Sequence, residues 1–210
     1  YFEYICTGAL TRDGRTPEAE TLKSGKLTTA YERINKQKET FDAIMKEYDF
    51  EIKHKGYVFQ KSKYSGIADI IAYDKTNKRN IIIDIKTSGL INDKWTNYGW
   101  HEDSIENKDE LLIQAVHYKM LYEEEFGEAN VPFYFFVFST QNDWEAKIFE
   151  IEVSETSLHN HKLNLVNAET FFLSENNNGW KAYPSYEKCK FCPLKDECTS
   201  ALSVPKAKKV

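Results

Sequence analysis

The chain has 210 residues, of which 41% are hydrophobic and 14% aromatic, enough to bury the core of one large domain. No apolar stretch approaches the ~20 residues of a membrane-spanning helix, so no membrane partner is expected, and the expected location is cytoplasmic. The net charge of −5 weighs against non-specific nucleic-acid binding, although a local basic face counts for more than the total. Two such stretches exist: Lys53, Lys55, Lys61 and Lys63, and a tail with Lys206, Lys208 and Lys209. No signal peptide is legible, and an opening Tyr1 rather than Met suggests a start inside a longer chain.

In chain order, a short segment around Cys6 leads to a polar loop with Gly14 and Pro17. Apolar residues from Leu27 to Met45 recur at helical spacing, predicting a helix over 26–48. Gly56 reads as a break before a first strand, Tyr57-Val58-Phe59, and 65–73 reads as a second strand. After a polar turn at 74–77, a third strand covers 80–87. Residues 92–108, rich in Trp, Asn, His and Asp, read as a loop or lid. A helix follows over 109–126, then a core strand at 132–139 and a half-exposed strand at 147–153. A second long helix is expected over 154–173. This order yields one α/β domain over 1–210, with its core in 22–153.

The third strand ends Ile81-Ile82-Ile83-Asp84-Ile85-Lys86-Thr87. Residues two apart on a strand share a face, so Asp84 and Lys86 project together from the end of a buried strand. The preceding strand carries Gly66-Ile67-Ala68-Asp69. Two aspartates on neighbouring strands can share a hard cation such as Mg²⁺, with the Ile85 carbonyl as a third oxygen ligand. Such an ion polarises a phosphoryl oxygen, and Lys86 is placed to position water or neutralise charge. A surface ion pair at a strand end is the simpler alternative for Asp84 and Lys86. Directly after three isoleucines, however, a charge needs a reason.

On the 109–126 helix, Gln114 and Tyr118 are four apart and share a face, so an amide and a phenol could hold a phosphate or a base. The alternative is a boundary Gln114 and a core Tyr118. His117 and His161 read as surface or boundary residues, and Glu123-Glu124-Glu125 as a solvated helix end. Trp95, Tyr98, Trp100 and His101 either stack on unpaired bases or pack their own loop.

Four cysteines remain: Cys6, and Cys189, Cys192 and Cys198 within ten residues of one another. The set suits a four-thiolate site, zinc or iron–sulfur, and the spacing does not choose between them. Unliganded reduced thiols are the alternative.

Gly66-Ile67-Ala68-Asp69, Asp84-Ile85-Lys86 and Gln114-x-x-x-Tyr118, in this order, resemble the PD-(D/E)XK nuclease superfamily in its RecB-like branch. With Cys6 and Cys189-x-x-Cys192-x5-Cys198, the pattern is similar to the iron–sulfur subgroup that includes CRISPR-associated exonucleases and AddAB-type helicase–nucleases. The resemblance implies a restriction-endonuclease-like core, a central mixed β-sheet flanked by helices. It implies metal-dependent exonucleolytic hydrolysis of DNA, single-stranded or with free ends, with a helicase or recombination protein as partner class. Asp69 and Asp84 would hold Mg²⁺ or Mn²⁺, Lys86 would be the catalytic lysine, and Gln114 and Tyr118 would support the site. The cysteines, in segments 1–10 and 180–200, would bind a [4Fe–4S] cluster, with zinc as the alternative metal. Many relatives carry a histidine on the first helix; here Gly25 to Glu32 contains none, and Glu32 is either its substitute or, the preferred reading, a surface glutamate. The competing class is a DNA-binding or assembly module on a degenerate nuclease fold.

Overall fold

The structure, a computed structural model, describes residues 1–10, 14–96, 99–105, 109–179 and 185–198. Tyr98 and the basic tail with Lys206, Lys208 and Lys209 lie outside these. The chain forms two compact units, Tyr1–His161 and Lys162–Val210.

The first unit opens with α1 (Phe2–Thr7) and α2 (Thr29–Glu47), followed by β1 (Phe50–Val58), β2 (Ile67–Asp74) and β3 (Arg79–Ser88). A short α3 (Glu102–Ile105) and the long α4 (Asp109–Phe126) precede β4 (Phe133–Ser139) and β5 (Ala146–Ile151). The five strands form one mixed sheet in the order β1-β2-β3-β4-β5. The pairs β1–β2, β2–β3 and β4–β5 are antiparallel and β3–β4 is parallel. The parallel pair needs a long crossover, and the segment that includes α4 supplies it. The helix α5 (Glu155–Asn178) runs across the boundary between the units, and α6 (Tyr186–Phe191) lies in the second.

Alternation sorts the sheet into two faces. Ile70 and Ala72 of β2, Ile81 and Ile83 of β3, and Tyr134, Phe136 and Phe138 of β4 form one buried cluster with Phe2 and Cys6 of α1 and Phe41 and Met45 of α2. Each fully buried Ile or Phe contributes about 1.5–3 kcal/mol, so this face carries much of the unit's stability. Residues of the other parity, Asp69, Ile71, Ile82, Asp84, Lys86, Phe133 and Phe135, face α4. Tyr118 of α4 stacks on Phe133, with ring centroids 6.0 Å apart at 15°.

Several expected boundaries change. β1 runs from Phe50 through Gly56 to Val58; the exposed Glu51, Lys53, His54 and Lys55 mask it in the sequence. Its register shifts between Ile52 and His54, which breaks the alternation that would have revealed it. The expected loop over 92–108 contains α3, and α5 extends to Asn178. Glu125 is not a solvated helix end: it is buried and accepts hydrogen bonds from the backbone N–H of Gln60 and of Lys61, both 2.9 Å. It fixes the β1–β2 loop to the end of α4. His117 is also engaged, with Nδ1 3.0 Å from His161 Nε2 and Nε2 3.1 Å from the Ser65 carbonyl.

Gly66 sits where α4 crosses the start of β2. A Cβ there would collide with Leu121 Cδ1 and stand 3.0 Å from Tyr118 Cε1. Gly66→Ala is therefore expected to push α4 off β2, at a cost of about 1–3 kcal/mol. Thermal denaturation measures it; an unchanged Tm would show that the contact has slack.

Candidate active site

The site forms where two strands stop pairing. The β2–β3 ladder runs from Asp74↔Arg79 to Ile70↔Ile83. One step further, the same register sets Asp69 opposite Asp84. There the Asp69 carboxylate takes over from the ladder: Ile85 N–H donates to Asp69 Oδ2 at 2.7 Å. In an extended strand a residue's N–H and C=O face the same neighbour, so the Ile85 carbonyl is directed to this edge as well.

Asp84 is 4% exposed. Its Oδ1 accepts from Gln114 Nε2 at 2.8 Å. Its Oδ2 lies 2.6 Å from Lys86 Nζ, an ion-pair distance, but the ammonium is not aligned as a hydrogen-bond donor and no other donor reaches this buried oxygen. Lys86 Nζ also lies 5.6 Å from the centroid of Phe135, which faces it from β4. Tyr118 completes the wall; its hydroxyl receives hydrogen bonds from the Gln114 side chain and the Ile67 backbone.

Electrostatics follow from this crowding. Burial and the neighbouring Asp84 charge push the Asp69 carboxyl up to about 7, against the Ile85 N–H that favours the anion. Burial raises Asp84 too, and Lys86 opposes that rise. Burial raises the Tyr118 phenol. Burial thus works against the ionised form of both carboxylates, and Asp84 Oδ2 has no hydrogen-bond donor. Oxygen-only donors of this kind fit a hard divalent cation.

The structure thus brings together Asp69, Asp84, Lys86, Gln114 and Tyr118, with Ile85 at the same edge. Glu32 is exposed on α2. A carboxylate that the sequence reading passed over, Glu3 of α1, lies close enough to raise both Asp69 and Asp84. Nothing in the sequence near Tyr1 pairs with a motif, so Glu3 emerges only once α1 is folded against the sheet.

The cysteines stand differently. Cys6 is fully buried in the α1–α2 face of the sheet, and burial pushes its thiol up to about 12. In the second unit Cys189 is buried, Cys192 is exposed at the end of α6 and Cys198 is half-buried. Among the described residues no three His, Cys, Asp or Glu side chains are gathered as metal ligands, so this conformation does not support the expected cluster. No helix among the described residues is long and apolar enough to cross a membrane.

No curated protein matches the chain. Among solved structures, that of a "Putative exonuclease" from Eubacterium rectale superposes with a TM-score of 0.53 at 17% identity, over 89% of this chain and 66% of that one. This chain therefore spans just under two thirds of that protein, and the likeness concerns the fold. A second structure, of SSO0001, aligns over 83% of this chain and 73% of that one at 15% identity, with a TM-score of 0.33. Residues 18–195 match the family described as PDDEXK-like domain of unknown function (DUF3799), and the chain belongs to that family.

Proposed function

We propose that this protein is a divalent-metal-dependent DNA nuclease acting on strand ends. The observation that carries the reading is the meeting of Asp69 and Asp84 beyond the last β2–β3 pair, with Lys86 on the same face. Asp69, Asp84 and the Ile85 carbonyl would hold Mg²⁺ or Mn²⁺, and the Glu3 carboxylate adds to the negative field the ion would neutralise. The ion would polarise a phosphoryl oxygen and acidify water. Lys86 opposes the rise that burial imposes on the Asp84 carboxyl and would carry a positive charge toward the bond being broken. Gln114 fixes the Asp84 carboxylate, and Tyr118 fixes Gln114, so α4 orients the acid without touching substrate. The exonuclease named for the similar solved structure supports action from an end.

The test is hydrolysis of end-labelled single- and double-stranded DNA with Mg²⁺ or Mn²⁺ and with chelator. Products shortening from one end are expected, and only with metal. A protein that binds DNA and cuts none of it with either ion is instead an assembly module on a nuclease fold.

The cysteines extend the proposal. Cys6, Cys189, Cys192 and Cys198 would bind a [4Fe–4S] cluster, or zinc, as a structural clasp. The supporting features are their number and the Cys-x-x-Cys-x5-Cys spacing. Cys192→Ser is expected to lose metal and soluble yield together. Metal analysis of anaerobically purified protein checks it; iron-free, zinc-free and fully folded wild type removes the clasp.

A further inference from the structure

The loop between β3 and α3 presents Trp95 with 84% of its surface exposed. Lone apolar side chains on a surface are ordinary, but this one stands on a loop that does not need it. Ile91 and Trp100 bury the two ends of the loop. Asp93 N–H and Trp100 N–H both donate to the Leu90 carbonyl, at 3.2 and 3.1 Å. The Asp93 carboxylate accepts from Trp95 N–H at 2.8 Å and from Thr96 Oγ1 at 2.6 Å. The Asp93 carbonyl accepts from His101 N–H at 3.3 Å, and Gly99 is so close to it that any Cβ would collide. The backbone is thus held from within, and the indole adds nothing to that hold.

The loop is also tied to the candidate site. Trp100 packs edge-on against Phe135, with centroids 5.7 Å apart. Phe135 is the ring over which the Lys86 ammonium lies. The base of the loop and the lysine of the site therefore share one side chain. At the tip, Lys94 Nζ lies over one face of the Trp95 ring, 4.9 Å from its centre, and the indole as a whole is 84% exposed.

We propose that Trp95 is a stacking platform for an unpaired nucleobase of the DNA strand whose phosphate enters the Asp69–Asp84–Lys86 site. The inference rests on the nuclease reading and names its substrate class: DNA with an unpaired end or flap. The ring face opposite Lys94 can accept any base, and Lys94 supplies charge for the adjoining phosphate. Bases inside a duplex already have both faces covered and a blunt end offers only one paired face, so an unpaired base is the favoured occupant of the platform.

The test is binding without cleavage, in chelator, of fluorescent single-stranded and blunt duplex oligonucleotides to the full chain. Trp95→Ala is expected to lower the ratio of single-strand to duplex affinity by about tenfold, and Trp95→Phe to keep it within about threefold. Trp144→Ala, on the exposed β4–β5 turn, should leave the ratio unchanged. A single abasic position in the strand should weaken wild type but not Trp95→Ala. Thermal denaturation of the variants controls for folding. An unchanged ratio for Trp95→Ala overturns the proposal, as does wild type that binds no single strand, or that has no abasic-sensitive position. The nuclease reading fails separately: wild type that shows the stacking signature but never cleaves keeps the platform and loses the enzyme.

Discussion

Replacing Asp84 by asparagine is expected to lower metal-dependent DNA cleavage by at least about a hundredfold, with the fold in place. The side chain keeps its shape, and an amide oxygen at the Oδ1 position still accepts from Gln114 Nε2. What goes is one negative charge from an edge that offers two carboxylates and a carbonyl to a cation. Removing one preorganised electrostatic partner from a dry site costs on the order of 10²–10³ in rate, and here the same change also frees Lys86 from the oxygen 2.6 Å away. The loss should fall on kcat rather than on affinity for DNA, because the carboxylate is buried and would act through the metal. Single-turnover cleavage of a labelled strand, with DNA binding measured in parallel, checks this. Cleavage within a few fold of wild type would remove Asp84 from the chemistry.

The second large effect is on stability and has the opposite sign. Without metal, Asp69→Asn is expected to stabilise the protein at pH 8. The unfolded carboxyl titrates near 3.9, and the folded one is pushed up to about 7 by burial and by Asp84. Between those values the folded state binds more protons, so stability from this group is complete below about pH 4 and is lost as pH rises through 7. Above 7 the folded protein holds the Asp69 anion buried beside Asp84 at the strand ends. Asparagine removes that charge while its amide oxygen can keep the Ile85 N–H. A gain of about 1–3 kcal/mol, roughly 2–10 °C in Tm for a chain of this size, is expected at pH 8 and little at pH 5. Mg²⁺ or Mn²⁺ should raise the Tm of wild type more at pH 8 than at pH 5, and should do little for the variant. A variant less stable than wild type at pH 8 would mean that the Asp69 anion is better compensated than its surroundings suggest. A protein that gains stability by losing an active-site charge has spent stability on function at that position.

These two results bear on why the site is where it is. An antiparallel ladder that continued past Ile70↔Ile83 would satisfy Ile85 N–H with backbone and leave no edge for a ligand. At the same end, the bare Gly66 leaves room for Leu121 and Tyr118 of α4 beside the start of β2, and α4 also brings Gln114 to Asp84. Sequence, packing and chemistry thus meet at a glycine that carries no chemistry of its own.

Much of this was legible in the chain. The run Ile81-Ile82-Ile83 followed by Asp84-Ile85-Lys86 has the period of a buried strand ending in a shared face, and local periodicity survives any tertiary context. The i, i+4 spacing of Gln114 and Tyr118 put both on one side of a helix for the same reason. The fold class followed from the order of elements. Other features depend on contacts between residues far apart, which no local pattern encodes. Gln114 meets Asp84 across thirty residues, and Glu125 reaches back to hold Gln60 and Lys61. Glu3 joins the field of the acid pair only because Phe2 and Cys6 anchor α1 against the sheet. The aromatic loop divides: Trp100 is buried against Phe135 and Trp95 is left in solvent, a distinction set by which ring finds a neighbour. The sequence by itself determined β2 to β5, α2, α4 and most of α5, and the types of group at their ends, since these are properties of neighbours along the chain. Only the tertiary structure decided which charges face one another and how strongly each is held, because those energies fall off with distance through space.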